Sequence, residues 1–471
     1  MTDISQKDPP IKLSHYFSYG TYRGFELLLK PFPMAVVCVI GGIIGSIAQF
    51  LVPYRRRIVI HNLRIAYGDQ MDIDEIHRLC RRTYWNTGAN FLASVRANTM
   101  QPDKLREHIE ILGIENARSK PGQSAGPIFL LAHMGSWETL VQIKDLVPGI
   151  SSFGALYRPL GNPLLDKLVK RRRQKAGITL YSRKDGFFPP ISHLKNGGAL
   201  GVFSDQNVRD HGISVPLFGK LTSLTNLPIL LHRRAKAPIL PICMASVGLG
   251  KWQLTIYPAV QIPETEKTNA TLTTSLCAQA LESVMSKSPA DVLWMHSYWK
   301  IGKNRPLKIA GAQKNKSTSP TTVPSKPFKV LIFAGDLPSD FPEFHTQVHQ
   351  LKNYRSDIEI TLVSQNLTSP DVAHRIPFNS SEPPHIIANN IRQYDLTQNT
   401  PIDCAIDFTP NAAGYQILKL SGVIRHFAMS GDNVSRTTKK AFKNPQNRNL
   451  TGLLQSLGMN AHNENQSREL T

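Results

Sequence analysis

Cysteine is scarce in this chain. Cys38, Cys80, Cys243, Cys277 and Cys404 are scattered and odd in number, and no C-x-x-C pair occurs. That argues against a disulfide framework or a zinc site and fits a reducing cytosol. Acidic residues are in deficit as well: 34 Asp and Glu face 55 Lys and Arg, a formal charge of +21. Such an excess asks for an anionic partner or surface, which could be nucleic acid, anionic lipid or an acidic carrier protein. A solvated basic face is the alternative that needs no partner. Zinc-finger spacing, a basic zipper and aromatic-basic RNA-binding motifs are all missing, so nucleic acid is not expected. Nothing points to a metal or an organic cofactor. Hydrophobic residues still make up 41% of 471 residues, enough for two or three cores and too many for a disordered chain.

Long apolar runs are also rare, with one exception. Met34–Val52 holds 19 residues without a charge, and only Ser46 and Gln49 are polar. At about 1.5 Å per residue this nearly spans a hydrocarbon core. Pro33 precedes the run and Pro53 comes directly after it, ahead of Arg55, Arg56 and Arg57. A positive cluster there favours a cytoplasmic position for the rest of the chain, although Lys12, Arg23 and Lys30 on the other flank weaken the signal. The run starts too late for a secretory signal, and no small-x-small site lies beyond it. Gly41, Gly42 and Gly45 suit close packing or a re-entrant insertion, and a buried core helix is the other reading.

Residues 54–100 carry apolar residues at helical spacing with basic residues between them, which suits a lipid-facing amphipathic layer. Beyond residue 105 short apolar runs alternate with helical stretches. Strands are expected at Ile128–Ala132, Ile178–Tyr181, Ala199–Ser204, Ile239–Ala245 and Gln253–Ile256. Helices are expected at Glu138–Leu146, Leu164–Ala176, Pro189–Lys195 and Asn226–Ala235. The alternation predicts an α/β fold with a mostly parallel sheet covered on both faces. Residues 303–328, rich in Lys, Ser, Thr and Pro, read as a flexible linker. After it, Lys329–Phe333, Ile358–Val363, Asp403–Asp407 and Ile424–Ala428 form the strands of a second, smaller α/β unit. The expected division is a membrane-associated segment at 1–53, a main domain at 54–302, the linker, a small unit at 329–432 and a polar tail at 433–471.

The sharpest local feature is P-I-F-L-L-A-H-M-G-S-W-E, Pro127–Glu138. An apolar strand ends near His133, Gly135 permits a tight turn, and Ser136 can cap a helix whose first turn holds Glu138. Ligands of open α/β sheets bind beyond the carboxyl ends of the strands, where His133 would sit. A neutral imidazole, with a pKa of about 6.5, can take the proton of an attacking alcohol. A carboxylate behind it would fix the tautomer and stabilise the imidazolium, and Glu138 is the expected carboxylate. The dipole of the helix would keep that carboxylate ionised.

With these residues in view, the sequence resembles the bacterial lipid A biosynthesis lauroyl/myristoyl acyltransferases, whose box is H-x4-D/E. The resemblance runs through His133-x4-Glu138, Tyr157-Arg158-Pro159 and Arg171-Arg172-Arg173 with Gly177. It continues through Gly201 to Asp205-Gln206, Val215–Gly219 and Trp294–Lys300, and covers about residues 15–305. It implies a glycerolipid-acyltransferase-like mixed sheet flanked by helices, with an N-terminal membrane helix at the cell inner membrane and the catalytic part on the cytoplasmic side. It also implies an acyl donor on acyl carrier protein, or coenzyme A, and an anionic lipid A precursor as acceptor. His133 and Glu138 would be catalytic, and Arg158, Asp205, Arg171 and Arg172 would bind substrate. Tyr298 stands where the family has Arg, and Ser136 where it has Asn, which leaves room for a different glycolipid or a lysophospholipid as acceptor. A catalytically silent membrane scaffold that kept the fold is the remaining alternative, against which the intact His133 and Glu138 argue.

A second resemblance covers 327–430. Lys329–Phe333 with Gly335-Asp336, then Tyr394-Asp395, Ile402–Asp407 and Leu418–His426, resembles the N-terminal, acceptor-side half of lipopolysaccharide heptosyltransferases. It implies a small Rossmann-like α/β unit. The donor-sugar half is not represented, so a docking or degenerate module is expected there, with Asp336 as a remnant of that family's base.

Overall fold

The computed structural model describes residues 10–118, 124–140, 150, 152–182, 186–299, 324–341, 344–354, 357–409 and 412–428. Most of the expected linker, the polar tail and the helix beyond residue 140 lie outside these residues. The chain forms two compact units. Unit 1 comprises Met1–Pro53, Arg78–Asp205 and Asn226–Leu293; unit 2 comprises Tyr54–His77, Gln206–Thr225 and Trp294–Thr471. Unit 2 therefore gathers three pieces of the expected main domain, 54–77, 206–225 and 294–302, with the C-terminal segment.

Four helices open the chain: α1 (Leu13–Leu29), α2 (Met34–Leu51), α3 (Pro53–Tyr67) and α4 (Ile73–Ala97). The apolar run becomes α2, the one helix among the described residues long and apolar enough to cross a bilayer. Its glycines set its packing. A methyl group on Gly41 would overlap the Gly88 carbonyl oxygen of α4, and one on Gly88 would overlap that of Gly41. The two backbones touch because neither carries a side chain there. Met34, Val37 and Cys38 are buried on the same face, while Ile43, Ile44, Ile47 and Phe50 on the other are exposed. The helix is thus neither a lone span nor a fully buried core helix. The expected lipid-facing layer at 54–100 also changes character. Ile58, Val59, Leu63, Ile65 and Tyr67 of α3 are buried in unit 2, because apolar residues are frequent on more than one of its faces.

After α5 (Pro102–Arg106) the sheet of unit 1 takes β1 (Ile109–Leu112), β2 (Ile128–Leu131), β3 (Phe153–Tyr157), β4 (Ile178–Ser182) and β5 (Ala199–Phe203). Helix α6 (Trp137–Leu140) follows β2, α7 (Pro163–Lys175) follows β3, and α8 (Phe188–Lys195) follows β4. Beyond the hairpin β6 (Ile213–Leu217) and β7 (Lys220–Leu224), α9 (Leu227–Ala235) leads to β8 (Ile239–Gly248) and β9 (Lys251–Ile256), and then to α10 (Ala270–Lys287). The seven strands run in the order β1-β9-β8-β2-β5-β3-β4, parallel except for the β8–β9 hairpin. Local signals start the helices: Pro163 opens α7 and the Asn162 side chain accepts the backbone N–H of Leu164 at 2.9 Å. Strands β1, β3, β6 and β7 and helix α10 were not expected; β1 and β3 are short and half-buried, so their apolar runs are faint.

In unit 2, β10 (Phe328–Gly335), α11 (Phe344–Tyr354), β11 (Ile358–Ser364), β12 (His374–Pro377), α12 (Pro384–Thr397), β13 (Cys404–Asp407), α13 (Ala412–Ser421) and β14 (His426–Ala428) build a second sheet. Its order is β12-β11-β10-β13-β14, all parallel, so the crossovers change direction between β10 and β13. Every residue of β10 is buried, as a central parallel strand covered on both faces requires. The β6–β7 hairpin belongs to this unit.

Candidate active site

Strands β2 and β5 are parallel neighbours, with Leu131 opposite Phe203. Each chain then advances two residues, to His133 and to Asp205, at the same end of the sheet. The His133 backbone N–H donates to Asp205 Oδ2 at 3.0 Å, and its ring Nδ1 lies 2.7 Å from Oδ1. Asp205 is fully buried. An ionised carboxylate only accepts, so Nδ1 is the donor in this bond. The ring of Phe203 lies tilted by 30° against His133 at 4.3 Å between centroids, and Trp137 meets it edge-on at 5.5 Å. Two aromatic neighbours and a two-point carboxylate fix the imidazole in place.

This corrects the expected pairing. The carboxylate behind Nδ1 belongs to Asp205, which the resemblance had placed on the substrate side. Glu138, in the first turn of α6, pairs with Arg173 of α7 at 2.9 Å. Its side chain is 45% exposed and that of Arg173 is 16% exposed. Arg173 also lies over the Tyr157 ring at 5.3 Å. The Tyr157 hydroxyl donates to Asp166 at 2.5 Å, and burial with that carboxylate pushes its pKa well up. In the sequence Arg173 is one member of a basic run, and its face on α7 is what singles it out.

The other expected residues divide. Arg158 follows β3 and is exposed, as is Arg171 on α7. Arg172 is engaged elsewhere, donating to both oxygens of buried Glu26 on α1 at 2.6 and 2.8 Å. It ties α1 to α7. Ser136 precedes α6 as expected, but its hydroxyl lies 3.3 Å from that of Ser94 in α4.

The turn that carries His133 is held from behind by Asp291–Leu293. Gly135, at φ 60°, donates its N–H to the Asp291 carbonyl at 3.0 Å, and the Leu293 N–H donates to the His133 carbonyl at 2.8 Å. Asp291 is 4% exposed. Its carboxylate accepts from the side chains of Asn86, Asn90, Ser246 and Ser288 and from the Ser246 N–H, at 2.6 to 3.2 Å. No sequence pattern marked Asp291.

The pattern of the bacterial lipid A biosynthesis acyltransferases matches residues 5–301. The chain belongs to that family. It is an acyltransferase. A lipid A biosynthesis lauroyltransferase of Escherichia coli is 24% identical over 304 residues, 64% of this chain and 97% of that protein. The palmitoleoyltransferase of the same organism is 23% identical over 301 residues, 62% and 96%. A phosphatidylinositol mannoside acyltransferase of Mycolicibacterium smegmatis is 21% identical over 208 residues, 43% and 66%. The family match ends before the C-terminal sheet begins.

Proposed function

We propose that the chain transfers a fatty acyl group from acyl carrier protein to a hydroxyl, or hydroxyacyl, group of a lipid A precursor in lipopolysaccharide biosynthesis. The observation that carries the chemistry is the 2.7 Å bond between His133 Nδ1 and a buried Asp205 carboxylate. Nε2 takes the proton of the acceptor hydroxyl as its oxygen attacks the thioester carbonyl. Asp205 holds the tautomer and stabilises the imidazolium; the thiolate then leaves with that proton. Glu138, half-exposed and steadied by Arg173, orients the attacking hydroxyl. Arg158 and Arg171, both exposed, take acceptor phosphate or developing oxyanion charge. Arg172 serves the site by fixing α7.

A net charge of +21 suits both an acidic carrier and a phosphorylated acceptor. The exposed apolar face of α2 with Arg55–Arg57 supports the inner membrane, with catalysis on its cytoplasmic side. No cofactor takes part in this reading. A second acceptor class is favoured by two observations. Tyr298 stands where the resemblance implies Arg, and a phosphatidylinositol mannoside acyltransferase shares part of the sequence. The heptosyltransferase-like segment is read as a degenerate module without sugar transfer.

The test is turnover of labelled acyl carrier protein by purified membranes with a panel of acceptors. His133→Ala and Asp205→Asn should each lower turnover by roughly 10²–10⁴-fold while the protein stays membrane-bound. Full activity in the His133 variant removes the assigned base. Acylation of a mannolipid but not of lipid A precursor moves the chain to the second class.

A further inference from the structure

The segment matched by the family ends at residue 301, yet a lysine, an arginine and a histidine of it find acidic partners beyond that point. All lie in unit 2. Lys220 of β7 is 1% exposed, and its ammonium donates to Asp403 Oδ2 at 2.6 Å. Nε2 of His61 on α3 lies 3.5 Å from the other oxygen of Asp403. Arg64 on α3, 7% exposed, donates to the Asp395 carboxylate at 2.5 Å and also to the Asp395 carbonyl.

Both aspartates are held by the C-terminal sheet itself. Asp403 accepts the Lys329 N–H at 2.8 Å, and Asp395 accepts the Ile402 N–H at 2.7 Å. Backbone contacts continue the seam: the N–H groups of Ser325 and Lys326 donate to the Gly219 carbonyl in the β6–β7 turn, and Lys326 Nζ donates to the Ile65 carbonyl at 2.7 Å.

A lone ammonium that cannot reach water is strongly unfavourable, while a well-bonded pair can be exchanged for apolar residues at little loss. Surface charges laid down for solubility would not be buried this way. We infer that residues 324–428 are a built-in partner of α3 and the β6–β7 hairpin, an acidic docking face that the acyltransferase segment requires. The extra sheet completes the fold of the enzyme instead of trailing from it. This inference stands independently of the assignment of His133.

The test uses the full chain in detergent with a protease site placed within residues 303–323. After cutting, the two fragments should co-elute on gel filtration. The Asp395→Ala/Asp403→Ala chain, cut in the same way, should release its C-terminal fragment. In the uncut chain, Asp403→Leu should lower Tm by on the order of 5–10 °C, and adding Lys220→Met should restore most of that loss. Separation of the wild-type fragments on cutting, an unchanged Tm in Asp403→Leu, or no recovery in the pair overturns the inference.

Discussion

At the scale of the residue, the site depends on where hydrogen bonds end. Asp205 spends both oxygens on His133, one on the ring and one on the backbone. Asp291 acts through the turn instead: it receives five hydrogen bonds and anchors the segment bonded to the His133 backbone. Replacing it with Ala leaves buried donors unmatched and lets the turn shift. A misplacement of about 1 Å at a reacting group can cost on the order of 10²-fold in rate. Asp291→Ala should therefore lower kcat by about that factor with KM within about threefold, and the loss should exceed that of an equally destabilised variant distant from the turn. Equal losses in the two variants would reduce Asp291 to a stability residue.

Elements reveal a different constraint. Helices α2 and α4 approach until the Gly41 and Gly88 carbonyls would touch any added methyl. Overpacking of this kind typically costs about 1–3 kcal/mol, and more where backbone is the obstacle. Gly88→Leu should destabilise unit 1 by about 3 kcal/mol and lower the yield of folded protein. Gly20→Leu, at a position with open space around it, should not. Fluorescence-detected gel filtration with thermal challenge separates the two. An unaffected Gly88→Leu chain would mean that the helices part without penalty.

Across the whole molecule, two buried aspartates of the C-terminal sheet titrate in opposite senses. Burial would raise Asp403, but Lys220 and His61 hold it well below the usual carboxylate range. Its stabilisation is present above the unfolded value and fades as the pH falls towards the folded one. Burial raises Asp407 to about 6, against which the Thr409 hydrogen bonds work. The folded state then holds this proton more tightly than the unfolded chain, so stability declines as the pH rises from about 4 through 6. At about 1.4 kcal/mol per pH unit, this loss is on the order of 3 kcal/mol at neutral pH. Asn can keep the bonds from Thr409 without the charge. Asp407→Asn should raise Tm at pH 7.5 and lose its advantage near pH 4, as thermal melts across that range would show. A constant difference at every pH would contradict the burial argument.

Periodicity and composition alone determined much of this protein. Ile128–Leu131, Ala199–Phe203 and the β10 run are apolar strands wherever they are placed, and Met34–Leu51 is an apolar helix. The box around His133 and the ordered blocks after it were readable as a family pattern because they are local. What only the tertiary structure decided was partnership. Asp205 lies 72 residues from His133, and two strands intervene in the chain before β5 settles beside β2. The nearer carboxylate, Glu138, went to Arg173 because the turn at Gly135 and the face of α7 bring that pair together. Asp403 met Lys220 across 183 residues for the same reason. Spacing along a chain fixes which side chains share a face of one element, but which elements become neighbours depends on how all the apolar faces are buried at once.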